Sequence, residues 1–227
     1  MIKLGLLGKS IQHSLSQKMY EDILGKRIHY TLFDYPSSLY IPDLSNLFRD
    51  VVGLSITAPY KQHFVAQLNL SAEAIQANAV NCINQNKSNQ FLGHNTDYLA
   101  CEELINKYVV DKYSDIIILG NGPMARILLF LLKEHSLNIY HVYRHDKFNI
   151  NDFDMRTLGD KRICIINCCS RGVVFAPKLH ECKVDLFWDL NYGQNNLFSG
   201  LYDNNYLDGL ELLKLQAKFA LNIWEIK

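Results

Sequence analysis

The chain has 227 residues, of which 48 % are apolar and 20 % charged, with 23 lysines and arginines against 23 aspartates and glutamates. That composition excludes an intrinsically disordered chain, and a formal net charge of +0 gives no electrostatic reason to expect nucleic acid or an anionic membrane as partner. The length suits one large domain or two modest ones.

The opening run Met1-Ile2-Lys3-Leu4-Gly5-Leu6-Leu7-Gly8 is too short for a signal peptide and is broken by glycines. No stretch approaches the roughly 18 apolar residues of a membrane span. The run is therefore read as a first β-strand, about Lys3–Leu7, and the protein as cytoplasmic. A helix is predicted over Gln17–Leu24, with Ser14 and Gln17 at capping-box spacing and Gly25 as its stop. His29–Phe33 reads as a strand. Val51–Ile56 is a short apolar run that ends at Thr57-Ala58-Pro59, where proline should end pairing. Ala72–Ala77 has helical character. Ala79–Asn84 and Gln90–Gly93 read as a strand pair around the turn Asn86-Lys87-Ser88-Asn89.

Helical spacing returns over Tyr98–Tyr108. A second strand series opens at Asp115–Leu119 and runs into Gly120. Met124–Glu134 reads as a helix, and Asn138–Tyr143, Ile163–Ile166 and Leu186–Trp188 as strands. In the tail, Asp208–Ile226, the residues Leu210, Leu213, Ala217, Ala220 and Trp224 share one helical face. Alternating strands and helices predict an α/β protein with mostly parallel sheets. Two strand series joined near Tyr98 predict two domains, with the motifs facing a cleft between them. Six cysteines (Cys82, Cys101, Cys164, Cys168, Cys169 and Cys182) lack the paired spacing of a zinc site, so no metal is expected and buried free thiols are.

The buried-strand pattern at 115–119, the turn Gly120-Asn121-Gly122 and the helix that follows form the context in which a glycine-rich turn binds a dinucleotide. The first glycine permits a tight turn. The second lets the backbone approach a pyrophosphate at a helix N-terminus, where free N–H groups favour anions. Pro123 or Met124 occupies the third glycine-type position, and a proline suits the first turn of a helix. The next strand ends at Tyr143-Arg144-His145. Arg144 stands where an NAD enzyme usually places an acid, and a guanidinium matches the 2′-phosphate of NADP.

The motifs, in their order and over nearly the whole length, resemble the shikimate dehydrogenase family. Ile11-Gln12-His13-Ser14-Leu15-Ser16 resembles the family's Ser-x-Ser loop. Gly53-Leu54-Ser55-Ile56-Thr57-Ala58-Pro59-Tyr60-Lys61 resembles its Asn-Val-Thr-x-Pro-x-Lys motif, with Ser55 in the place of the asparagine. Ala79-Val80-Asn81 and Gly93-His94-Asn95-Thr96-Asp97 resemble its Ala-Val-Asn-Thr and Gly-x-Asn-Thr-Asp. Gly120 to Ala125 resembles its glycine-rich turn, with Pro123 replacing a glycine. Asn167-Cys168-Cys169-Ser170-Arg171-Gly172 resembles its Asn-Ala-Thr-x-x-Gly, and Asp189-Leu190-Asn191-Tyr192 its Asp-x-x-Tyr. Gly209-Leu210-Glu211-Leu212-Leu213, with Gln216, Phe219 and Trp224, resembles its last helix.

The resemblance implies a substrate-binding catalytic domain at 1–98, completed by 208–227, whose last helix packs back on it. It implies a Rossmann-like NADP-binding domain at 99–207, trimmed between Arg144 and Ile163. Lys61 and Asp97 would be the catalytic pair. Ser14 and Ser16 would bind the substrate carboxylate, and Thr57, Asn81, Tyr192 and Gln216 would help hold the ring, its hydroxyls or the carboxylate. Gly120, Asn121, Gly122, Pro123, Met124, Ala125, Tyr143, Arg144, Asn167 and Gly209 would bind NADP(H). The implied reaction is the reversible reduction of 3-dehydroshikimate to shikimate by a monomer or homodimer with small-molecule partners only. A quinate/shikimate dehydrogenase of relaxed choice, or a shikimate-binding homologue without turnover, are the alternatives. Plainer readings stand beside these roles. Lys61 could be a solvated helix-start lysine, Asp97 or Ser14 a helix cap, and Asn81 a partner for backbone groups. Tyr192 could be a buried aromatic and Gln216 a surface residue.

Overall fold

In the computed structural model, residues 1–144, 162–169, 183–193 and 205–227 are described. The chain divides into two compact units, Met1–Ala100 with Leu213–Lys227, and Cys101–Leu212. The sequence positions 145–161 that read as a trimmed crossover, Ser170-Arg171-Gly172 and Cys182 lie outside the described residues.

The first unit holds strands β1 (Lys3–Gly8), β2 (His29–Asp34), β3 (Gly53–Ile56), β4 (Asn69–Leu70), β5 (Cys82–Gln85) and β6 (Phe91–His94) in one sheet of order β2-β1-β3-β5-β6-β4. Its first three strands are parallel, and β5 alone runs against the rest, antiparallel to both β3 and β6, so the sheet is mixed but mostly parallel. The polar turn Asn86–Asn89 forces that reversal: the Asn86 side chain accepts the N–H groups of Ser88 and Gln90 and closes the hairpin. Helices α1 (Ser16–Leu24), α2 (Leu44–Leu47) and α3 (Ala72–Ala77) complete this part.

Alternation along the strands gives the sheet two apolar faces. One joins Leu7, Leu54, Ile56, Tyr60, Phe64, Val80 and Ile83. The other joins Leu4, Tyr20, Ile28 and Cys82 to Ala217, Ala220, Leu221 and Trp224 of the last helix, α6 (Leu210–Ile223). Burying that stripe is what returns the end of the chain to the first sheet. Leu210 does not share the stripe. It is exposed at the first turn, while Leu212 and Leu221 are buried in positions the five-residue face left out.

At α1 the expected capping box does not form. Leu15 is the N-cap and caps with no side chain, while Gln17 pairs with Glu21. The Ser14 hydroxyl is engaged elsewhere, with Ser16. Gly25 ends the helix in the left-handed region at φ 63°, where a Cβ is disfavoured.

The second unit is built on a parallel sheet of order β11-β10-β9-β7-β8, from β7 (Asp115–Leu119), β8 (Asn138–Val142), β9 (Ile163–Asn167), β10 (Leu186–Asp189) and β11 (Tyr206–Leu207). All five residues of β7 and of β9 are buried, as central strands of a parallel sheet require. Helix α5 (Pro123–Leu132) follows β7 and buries Ala125, Ile127, Leu128 and Leu132. Helix α4 (Thr96–Tyr108) carries the chain out of the first unit. Near its end, Lys107 pairs with Glu211 at 2.6 Å and the Tyr108 hydroxyl donates to the same carboxylate at 2.5 Å. Among the described residues, no helix is long and apolar enough to cross a membrane.

Candidate active site

β3 stops at Ile56, and the chain turns through Thr57-Ala58-Pro59-Tyr60, with a cis Ala58–Pro59 bond and the Tyr60 N–H on the Thr57 carbonyl at 3.0 Å. Tyr60 is buried and its hydroxyl donates to the Tyr35 carbonyl at 2.6 Å. This anchor fixes the turn, so the next residue, Lys61, leaves it in a set direction. The Lys61 carbonyl accepts the Val80 N–H at 2.7 Å, tying its backbone to the segment that carries Asn81.

Asp97 comes from the first turn of α4. The cap there is Asn95, whose Oδ1 accepts the Tyr98 N–H at 2.9 Å while its Nδ2 donates to the Ala79 carbonyl at 2.9 Å. Asn95 thus takes the role that Asp97 could have had, and the Asp97 carboxylate turns instead to Lys61. Nζ and Oδ2 are 2.7 Å apart. The side chains are 24 % and 15 % exposed, so this is a half-buried pair that a ligand can still reach. Removing charges from water raises the strength of their interaction and the penalty of breaking it.

Asn81 holds the residue that precedes Asp97. Its Oδ1 accepts the Thr96 N–H at 2.7 Å and the Thr96 hydroxyl at 3.2 Å, and the Thr96 hydroxyl is also 3.2 Å from Gln216 Oε1. Gln216 Nε2 donates to the Leu213 carbonyl within its own helix. Ser14 Oγ donates to Ser16 Oγ at 3.1 Å. Thr57 follows β3, its N–H on the Leu7 carbonyl at 2.9 Å. Seven of the residues singled out from the sequence therefore belong to the first unit: Ser14, Ser16, Thr57, Lys61, Asn81, Asp97 and Gln216. Tyr192 belongs to the second, after β10, in a loop held by Asn191, whose Nδ2 donates to the Cys169 carbonyl and to Asp189.

Sequence reasoning missed two participants. Asn95 could have been found, since an Asn before a helical run is a favoured N-cap. Tyr20 could not: its hydroxyl shares a 3.0 Å hydrogen bond with Ser55, the residue that stands in the place of an asparagine, and only the packed sheet brings the two together.

In the second unit the register sets Leu119 level with Val142 and Asn167, and Asn167 level with Asp189. The residues after these positions share the carboxyl edge of the parallel strands. β7 lies there between β8 and β9, where the strand order reverses, which is where α/β sheets hold ligands. Gly120 has φ +100°, a conformation that favours glycine, and a Cβ on it would also press against Cys169 Sγ at 3.1 Å. The His141 imidazole bonds to the Gly120 carbonyl at 2.8 Å and steadies the turn.

Gly122 is the N-cap of α5, with open space where its Cβ would be, so a ligand can approach its backbone closely. Pro123 occupies the first turn, where its missing N–H is not needed, and Met124 and Ala125 carry first-turn N–H groups without intrahelical acceptors. Arg144 is exposed after β8, near enough to Cys169 to lower its pKa against the larger effect of burial. Asn167 is buried and donates to Asp189 Oδ1 at 3.0 Å, and its own Oδ1 accepts the Cys169 N–H. Gly209 is packed under the 190–191 backbone: a Cβ there would lie 2.2 Å from the Leu190 carbonyl oxygen. These groups (a helix N-terminus, an open glycine and a cation after the neighbouring strand) fit a dinucleotide carrying an extra phosphate.

A Rossmann-like unit joined to a mixed-sheet unit completed by the last helix defines the chain as a two-domain α/β protein of dehydrogenase architecture. Residues 6–83 match the family model of the shikimate dehydrogenase substrate binding domain. The chain is 32 % identical over 254 residues to the shikimate dehydrogenase (NADP(+)) of Clostridium beijerinckii, covering 97 % of this chain and 91 % of that one. Its fold is that of the shikimate 5-dehydrogenase of Thermus thermophilus. In complex with shikimate that structure gives a TM-score of 0.79 at 24 % identity, covering 99 % of this chain and 92 % of the other. In complex with NADP(H) and shikimate it gives 0.77 at 22 % identity, over 99 % and 93 %. The chain belongs to the shikimate dehydrogenase family.

Proposed function

We propose that this protein catalyses the NADP-dependent, reversible reduction of 3-dehydroshikimate to shikimate in the route to chorismate and the aromatic amino acids. The observation that carries the reading is the Lys61–Asp97 pair, joined at 2.7 Å across 36 residues of sequence, with Asn95 relieving Asp97 of the cap. Reducing a ketone places negative charge on its oxygen, and that oxygen must receive a proton. The Lys61 ammonium supplies both needs: it stabilises the charge and hands over the proton. Asp97 orients the ammonium and accepts a hydrogen bond from a substrate hydroxyl.

Ser14 and Ser16 offer hydroxyls to the substrate carboxylate. Thr57, Asn81, Gln216 and Tyr192 hold the ring and its remaining hydroxyls. The first unit is thus the substrate-binding catalytic domain and the second the NADP-binding domain. There Gly120, Asn121, Gly122, Pro123, Met124 and Ala125 cradle the pyrophosphate, Tyr143 and Arg144 receive the adenosine end, and Asn167 and Gly209 shape the remainder of the cradle. NADPH, when bound, supplies the hydride. The same reading places the protein in the cytoplasm as a monomer or homodimer.

The test is NADP reduction by the purified protein with shikimate or quinate, repeated with NAD. Turnover with shikimate and NADP well above the other three combinations is expected. Equal rates with quinate define a dehydrogenase of relaxed choice. Shikimate binding without turnover defines a homologue that has kept the site and lost the reaction.

A further inference from the structure

Ser14 and Ser16 each have one hydroxyl proton, and a carboxylate accepts hydrogen bonds without returning any. In the present arrangement Ser14 Oγ donates to Ser16 Oγ at 3.1 Å and also accepts the Ser16 N–H at 3.2 Å. If Ser14 turns its proton to an anion, Ser16 Oγ loses the bond it was accepting. A replacement donor stands next to it. Tyr30, on β2, packs its ring against Tyr20 with centroids 5.9 Å apart. Its phenolic oxygen is closed off from solvent and has no hydrogen-bond partner among the described residues. The Ser16 and Ser55 hydroxyls lie beside it, close enough to oppose the upward push of burial on its pKa. Ser55 already shares a hydrogen bond with Tyr20, which leaves Ser16 as the neighbour whose bonding changes when an anion arrives. A buried O–H without an acceptor costs about 1–3 kcal/mol, so a bound state that pairs it is favoured by that pairing.

We propose that Tyr30 is a positioning residue of the carboxylate site: with substrate bound it donates to Ser16 Oγ, so that Ser14 and Ser16 both point their protons at the anion. The Tyr30 phenolic oxygen stays closed off from solvent and does not touch the ligand. The chain from phenol to serine to carboxylate aligns its dipoles, and each bond polarises the next. This inference rests on the proposed function, since it takes the anion to be the substrate carboxylate.

The test titrates shikimate and its methyl ester into the parent and Tyr30→Phe proteins by calorimetry, with turnover measured on both. Tyr30→Phe should weaken shikimate binding about 5- to 20-fold, the loss of a bond in a charge-assisted chain. The ester should bind both proteins alike, the loss should fall on KM rather than kcat, and the melting temperature should not drop. Equal shikimate affinity in the two proteins overturns the inference while leaving the proposed function intact, and so does an equal loss for shikimate and ester, which marks a structural role. A parent protein that fails to bind shikimate removes the proposed function first, and this inference with it.

Discussion

Asn81 Oδ1 accepts both the backbone N–H and the hydroxyl of Thr96, so one side-chain atom closes the start of α4 and fixes where Asp97 stands. Asn81 is 6 % exposed and Thr96 1 %, so water cannot replace the asparagine. In Asn81→Ala the Thr96 N–H is left buried and unpaired. The expected loss is about 1–3 kcal/mol of unfolding free energy by urea titration, together with a raised KM for shikimate. An unchanged unfolding midpoint contradicts the structural half of this prediction. An unchanged KM contradicts the half that gives Asn81 a contact with the ring.

Lys61 separates more cleanly into chemistry. Its ammonium is the proton donor of the proposed reaction, whereas substrate binding is spread over the hydroxyl and amide groups of the first unit. Lys61→Ala should lower kcat by at least about 100-fold and change KM far less, because the lost interaction forms as charge develops on the oxygen. Asp97→Asn keeps a side chain of the same shape but removes the charge that orients the ammonium at 2.7 Å, so kcat should fall again. Steady-state rates with shikimate and NADP decide both. Near-parent turnover in Lys61→Ala rules out the assigned role.

How much of this was readable before folding depended on the range of the interaction. β7 was legible residue for residue, because Asp115-Ile116-Ile117-Ile118-Leu119 is a buried run that stops at a glycine. The hairpin of β5 and β6 was legible because Asn86 closes its own turn. The two-residue strands β4 and β11 were not, since they exist only by pairing with β6 and β10. The Lys61–Asp97 contact has no local signature: the residues are 36 apart, and only the resemblance in motif order linked them. Ser14 shows the opposite failure. Its capping-box spacing was real, but a hydroxyl that bonds Ser16 and its N–H is no cap, and Leu15 holds that position.

Gly53 illustrates a constraint that no local pattern could express. A Cβ there would lie 2.4 Å from Cδ2 of Trp224, which arrives from the far end of the chain. The indole has little room to retreat, because its N–H donates to the Ile83 carbonyl at 2.9 Å and its ring packs on Tyr20 at 5.5 Å. Gly53→Ala should therefore cost about 1–3 kcal/mol in urea unfolding, the usual effect of overpacking a filled core. A variant as stable as the parent means the last helix shifts without resistance.

Asp189 gives a pH dependence with a definite sign. It is 1 % exposed, and burial raises its pKa above the ordinary carboxylate range. Hydrogen bonds from the Asn191 backbone and side chain, from Asn167 and from Tyr206 oppose that rise without cancelling it. A carboxyl group whose folded pKa is raised contributes its full stability below the unfolded value of about 3.9, and loses it as pH rises through the folded pKa. Asp189→Asn removes that titration and keeps one oxygen to accept from Asn167 and Asn191. The unfolding free energy of the parent minus that of Asp189→Asn should therefore decrease as pH rises from the strongly acid range, then level off once Asp189 is ionised in the folded state. Denaturant titrations at a series of acid pH values measure the difference directly. A difference that grows with pH instead means the four donors outweigh burial, and that the carboxylate is the form the fold prefers.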